Sequence, residues 1–199
     1  MPQWKKFRNK HIKEKDMSKK ILFIVGSIRK NSLNLQLAKA AKEIVGTGAD
    51  ASFLEYTDLP YMNQDMEFPA PEEVARVREQ VREADGIWIF TPEYNYQIPG
   101  VLKNLLDWLS RPVVPGDRST ACAFGKPVTV SGVGGKGKTA GCRKNLDALL
   151  EVMRMQVMKE NECGFALTGE EFAGSVLVMD EERKQQLTAQ AEAFLDFLG

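Results

Sequence analysis

The sequence holds one histidine, His11, close to the N-terminus. Without a second imidazole, and with the first so far forward, a Ser-His-Asp triad, a Cys-His dyad and a His-ligated zinc or iron site are all excluded from the rest of the chain. Cysteine is also scarce. Cys122, Cys142 and Cys163 are odd in number and widely spaced, and no C-x-x-C occurs. A disulfide framework is therefore not expected, and a reducing cytoplasm fits. Net charge is absent too, with 27 basic and 27 acidic side chains. That balance argues against a nucleic-acid groove or a polybasic membrane anchor. No apolar run approaches membrane-spanning length, and no secretory h-region is present. With no metal site and no side-chain triad expected, a bound cofactor is expected to carry the chemistry.

What is present reads as one α/β domain: 199 residues, 43% apolar and 27% charged, enough to bury a substantial core. The zero charge hides an asymmetry. Residues 1–16 carry six Lys or Arg against Glu14 and Asp16, a net +4, which leaves the remainder at −4. This hydrophilic stretch, with scattered Trp4 and Phe7, is expected to be a flexible N-terminal extension, and the folded part is expected to span 17–199, starting at Met17.

From there, short apolar runs alternate with helical periodicity. Lys20–Gly26 (KILFIVG) and Gly86–Thr91 (GIWIFT) read as strands buried on both faces. Weaker strands are expected at 51–56, 127–131 and 155–159. Helices are expected from Ser32 to about Val45 with Ser32 as N-cap, over 72–83, over 100–109 with Leu102, Leu105, Leu106 and Leu109 on one side, over about 140–153, and near 181–198. After 159 a loop is expected before the closing helix. Such alternation predicts a doubly wound, five-stranded parallel sheet of order 2-1-3-4-5 with helices on both faces. Ligands in such sheets sit beyond the carboxyl ends of the strands, at the switch point.

Three loops at that edge carry chemistry. The first, Gly26–Asn34 (GSIRKNSLN), joins a buried strand to a helix N-terminus, where free N–H groups and the helix dipole attract an anion. Ser27, Ser32 and Asn34 add neutral donors, Arg29 and Lys30 add charge, and no acid is present to repel a phosphate. Helix capping by the serines is the simpler alternative. The second, Thr91–Gly100 (TPEYNYQIPG), is bounded by two prolines and presents Tyr94 and Tyr96, which suits a planar heteroaromatic ring as well as an ordinary capping loop. The third, Ser131–Gly141 (SGVGGKGKTAG), is glycine-rich and matches G-x-x-x-x-G-K-[ST] from Gly132 to Thr139. A P-loop nucleotide site is disfavoured, because that motif normally follows the first strand and here too little sheet remains. Lys136 and Lys138 read equally as a solvated tip or as part of the site.

GSIRKNSLN after the first strand and PEYNYQIPGVLKNLLDWLSRP (92–112) after the third resemble the NADPH-dependent FMN reductase family, in its bacterial quinone and chromate reductase branch. The resemblance spans about residues 19–198. It implies a flavodoxin-like fold, non-covalently held FMN, NAD(P)H as co-substrate, small acceptors such as quinones, chromate, azo compounds or flavin, and a homodimer or homotetramer. It also implies that Ser27, Arg29, Ser32 and Asn34, with the Leu35 backbone, hold the FMN phosphate. Pro92, Glu93, Tyr94 and Asn95 would line the isoalloxazine, and Ser131, Gly132 and Gly134 would approach its far side. The basic third loop and the extension depart from the family pattern. A flavodoxin-like electron carrier without a nicotinamide site is the main functional rival; its usual acidity is missing here.

Overall fold

The computed structural model describes residues 18–199, so the expected extension over 1–16 and the start at Met17 lie outside the described residues. Four strands run parallel: β1 Lys19–Val25, β2 Ala49–Phe53, β3 Gly86–Phe90 and β4 Pro127–Gly134. Two short pieces, β5 Gln156–Val157 and β6 Gly164–Ala166, follow one another along the free side of β4. The order is β2-β1-β3-β4-β5, as the alternation predicts, with β6 also on β4.

The period of two in the strands divides the core into two layers. Leu22, Ile24, Ile87, Ile89, Val128 and Val130 pack with helices α2 (Glu72–Glu83), α3 (Gly100–Leu109) and α4 (Ala140–Val152). Ile21, Phe23, Trp88, Phe90 and Val133 pack with α1 (Leu33–Val45) and α6 (Glu181–Leu198). That second layer is aromatic: Trp88 stacks on Phe90 at 5.2 Å between ring centroids, and Phe23 packs beside both. Among the described residues, no helix is long and apolar enough to cross a membrane.

Three expectations need correction. The second strand ends at Phe53 and not near Tyr56, because Tyr56 turns inward and donates its hydroxyl to Val25 O at 2.7 Å. The fourth strand continues to Gly134, because β6 supplies a partner beyond Ser131. The segment expected as a loop after 159 contains β6 and a one-turn helix, α5 (Gly169–Gly174).

Where β5 gives way to β6, the edge of β4 would lack partners. Gln190 of α6 fills the gap. Its amide donates to Thr129 Oγ1 and Val130 O, both at 2.9 Å, and accepts from Ser131 Oγ at 2.7 Å and Cys163 N at 2.9 Å. Every donor and acceptor of this buried side chain is used, as burial requires.

Candidate functional site

Gly26 N donates to Phe90 O at 2.8 Å and Thr91 N to Ser131 O at 2.9 Å, so the three loops leave the sheet side by side. From β1 the chain crosses to β2, and from β3 it crosses to β4. The carboxyl edge between β1 and β3 is therefore the switch point.

In the first loop, Ser32 caps α1, and its hydroxyl accepts from Leu35 N at 3.2 Å. The Leu35 amide is thereby spent within the helix. Among the described residues, the amides of Leu33 and Asn34 in the first turn meet no acceptor. No acid occurs in that turn. Ser27 Oγ accepts from Arg29 N at 3.4 Å. Arg29 reaches Ser175 Oγ on the segment after α5. Gln36 fastens the same segment, donating to Ser175 O and accepting from Leu177 N, both at 2.9 Å. Asn34 is buried, and its amide clasps both backbone groups of Val133 at 3.0 Å. The Asn34 side chain therefore ties α1 to β4.

The second loop turns tightly. Tyr94 and Gln97 exchange backbone hydrogen bonds, and Asn95 (φ 52°) and Tyr96 (φ 62°) between them are both left-handed, as a type I′ turn demands. The turn leaves both tyrosines outside, Tyr94 at 53% and Tyr96 at 74% exposure. Asn145 of α4 holds its far end through Tyr96 O at 3.2 Å. The side chain of Glu93 has another task. Its Oε2 accepts from Cys142 N at 2.7 Å, in the first turn of α4. Thr139, at the N-cap position of α4, makes no side-chain cap. Glu93 therefore caps α4 from another loop and locks the second loop to the third.

In the third loop, Lys138 (φ 52°) and Thr139 (φ 56°) are both left-handed. Thr139 folds back and is buried over Gly132, where a Cβ would collide with its hydroxyl. Gly134 likewise leaves room for the Thr139 methyl, which would lie 2.9 Å from an added Cβ. Gly132 and Gly134 thus make space for Thr139 beneath the loop and do not themselves face outward. Ser131 is fully buried, and its hydroxyl accepts the indole N–H of Trp88 at 2.9 Å and donates to Gln190. Gly135, Lys136, Gly137 and Lys138 form the exposed tip. A P-loop would need a threonine hydroxyl open to a metal ion at the start of the helix, and Thr139 instead points into the protein.

Burial pushes the thiols of Cys122 and Cys142 up to about 11 and that of Cys163 to about 12, so none is a thiolate nucleophile near neutral pH. Beside the third loop, Arg143 and Asp147 of α4 meet Glu162 from the break between β5 and β6. Arg143 Nη1 donates to Glu162 Oε2 at 3.2 Å. Asp147 Oδ1 and Glu162 Oε1 are buried without a donor among the described residues. Burial, and then the neighbouring Asp147, raises the Glu162 carboxyl to about 8, and burial raises Asp147 as well. The pair keeps a proton at neutral pH.

Of the predicted residues, the fold thus gathers Ser27, Arg29, Ser32, Pro92, Tyr94 and Asn95 at the carboxyl edge and turns the side chains of Asn34, Glu93 and Ser131 to structural work. Ser175, Gln36 and Asn145 escaped the sequence reading. Ser175 contacts Arg29 across 146 positions, and nothing local signals such a meeting.

The family model described as NADPH-dependent FMN reductase matches residues 19–168. The quinone reductase of Escherichia coli K12 is 35% identical over 186 residues, covering 89% of this chain and 94% of that protein. A 2-hydroxy-1,4-benzoquinone reductase from a Burkholderia species is 44% identical over 96 residues; here the chain spans about half of the relative, 52% of its length. Among solved structures, FerB, a flavoenzyme NAD(P)H:(acceptor) oxidoreductase from Paracoccus denitrificans, superposes with a TM-score of 0.80 at 31% identity, covering 90% of this chain and 97% of FerB.

Proposed function

This chain belongs to the NADPH-dependent FMN reductase family, and on that premise we propose that it is a flavoprotein oxidoreductase passing electrons from NAD(P)H to quinones or similarly small acceptors. The observation that carries the reading is the first turn of α1: an acid-free helix start with unclaimed Leu33 and Asn34 amides, flanked by Ser27 and Arg29 and adjoining the turn that exposes Tyr94 and Tyr96. Such a start attracts a phosphate dianion, and exposed aromatic faces attract a planar ring.

Flavin mononucleotide, when bound, supplies the redox chemistry, taking a hydride from NAD(P)H and giving electrons to the acceptor. The protein's part is to bind and orient. The amides of Leu33 and Asn34 with Ser27 would hold the phosphate, and the Arg29 guanidinium would supply the pairing charge. Pro92, Tyr94 and Asn95 offer main-chain donors and acceptors to the ring edge, on a turn that Glu93 and Asn145 keep rigid. Lys136 and Lys138 at the loop tip raise the local potential toward an electron-rich ring. No side-chain acid or base is required. The buried free thiols suit a reducing compartment, and we place the protein in the cytoplasm as a homodimer or homotetramer.

Purified protein should be yellow or should take up FMN, should bleach on anaerobic mixing with NADPH or NADH, and should regain its colour when a benzoquinone is added. A colourless protein that refuses FMN would overturn the assignment. A yellow protein that no nicotinamide bleaches would be an electron carrier instead.

A further inference from the structure

The match to the family ends at residue 168, and Ser175 lies beyond it. The segment after α5 nevertheless reaches the phosphate loop, where Ser175 Oγ accepts from Arg29, 146 positions earlier. This segment does not need Arg29 to stay in place. Arg183 of α6 holds it on one side, pairing with the buried Glu171 and donating to Val178 O at 2.6 Å. Gln36 of α1 holds it on the other, donating to Ser175 O and accepting from Leu177 N, both at 2.9 Å. Ser175 itself ends α5 with a left-handed backbone, φ 53°. Glycine is the usual residue in that conformation, because a Cβ is strained there. A serine brings one thing glycine lacks, a hydroxyl, and Arg29 uses it. Among the described residues, Arg29 has no carboxylate partner. A single contact to a neutral oxygen leaves its charge unmatched and most of its fork of donors open.

We infer that Ser175 is a positioning residue for phosphate binding: held by Gln36, it fixes the Arg29 side chain while leaving the guanidinium charge free for a phosphate dianion. The inference rests on the phosphate-site reading above, and it extends that site to a segment outside the matched family span. An unheld arginine samples many rotamers and gives up that freedom when it binds. The contact to Ser175 removes much of that cost beforehand. Gln36 stands on α1 itself, and Ser32 N donates to Arg29 O at 3.0 Å in the turn that leads into the helix. The guanidinium is therefore tied to α1 at both ends, through its own backbone and through Ser175, and keeps a fixed place relative to the Leu33 and Asn34 amides.

Protein stripped of flavin is titrated with FMN and with riboflavin, which has the ring and no phosphate, following flavin fluorescence. Ser175→Gly suits the left-handed backbone and deletes the hydroxyl. Gln36→Ala keeps a good helix former in α1 and releases the segment. Each should weaken FMN by about three- to tenfold, the worth of one ordered side chain, and leave riboflavin within about twofold. In an Arg29→Ala background neither change should weaken FMN further, because the effect runs through the guanidinium. If FMN binds and Ser175→Gly leaves its affinity unchanged, weakens the two flavins alike, or costs as much without Arg29, then Ser175 is a structural tie only and the proposed function stands. If the parent protein binds neither flavin, the cofactor reading itself fails and this inference falls with it.

Discussion

The starts of α1 and α4 share sequence features: each follows a buried strand and a loop carrying two basic residues, and neither has an acid in its first turn. The structure treats them differently. Helix α4 receives a carboxylate from outside, Glu93, on its third amide. Helix α1 receives no carboxylate; its one capping contact is the neutral hydroxyl of Ser32. An exposed positive dipole end is a cost unless something anionic meets it. At α4 the protein supplies that anion itself, and at α1 it leaves the place for a ligand. Motif matching favours the wrong helix here, because G-x-x-x-x-G-K-T precedes α4, where the charge is already met.

The largest effect should come from giving α1 the acid it lacks. Ser27→Asp places a carboxylate in the phosphate loop and should weaken FMN binding by about a hundredfold or more, read by flavin titration, while the fold stays intact. Retained FMN would mean that the two helix starts do not differ in the way described.

Next is the pH response of the carboxyl pair against α4. The folded pKa of Glu162 lies above its unfolded value, so native protein binds the proton more tightly. Stability from this group is complete below the ordinary glutamate range, declines as pH rises toward about 8, and is lost above it. Glu162→Gln should abolish that decline, with melting temperatures of variant and parent diverging in the variant's favour from pH 6 to pH 9. Parallel melting curves would place the proton elsewhere.

Removing the borrowed cap comes third. Glu93→Ala should cost about 1 kcal/mol of stability, as the loss of a helix N-cap does, and lower the melting temperature by about 2–4 °C. Glu93→Gln, which keeps an oxygen but loses the charge, should recover part of it. Last, Lys138→Ala should leave the fold and nucleoside-triphosphate binding unchanged, with binding undetectable in both proteins by equilibrium dialysis. Measurable ATP or GTP binding that this change removes would restore the P-loop reading.

Much of this architecture was legible because its signals are local. The limits of α2 and α3 coincide with the expected spans, since their apolar spacing is clear and a proline precedes each. The order of the sheet followed from alternation alone. The misses are of two kinds. Strand β6 is three residues including a glycine, too short for any period, whereas α5 did carry a signal that was overlooked, a capping box between Thr168 and Glu171. The roles of Glu93, Asn34 and Ser131 were hidden for a different reason. Each belongs to a sequence stretch whose composition suggests a ligand-binding loop, and its side chain is claimed by a partner 49, 99 or 59 positions away. Composition identifies the edge of the sheet that does the chemistry; long-range pairing decides which atoms there remain free.

The interrupted margin of β4 has one more consequence. A long, flat border strand offers every neighbour in a crowded solution a template for continuing the ladder. Here the border is two residues, a break, and three residues, with Gln190 reaching into the break and saturating the backbone there. An incoming strand could not keep its register past the interruption, so this side of the molecule resists growth into fibrils.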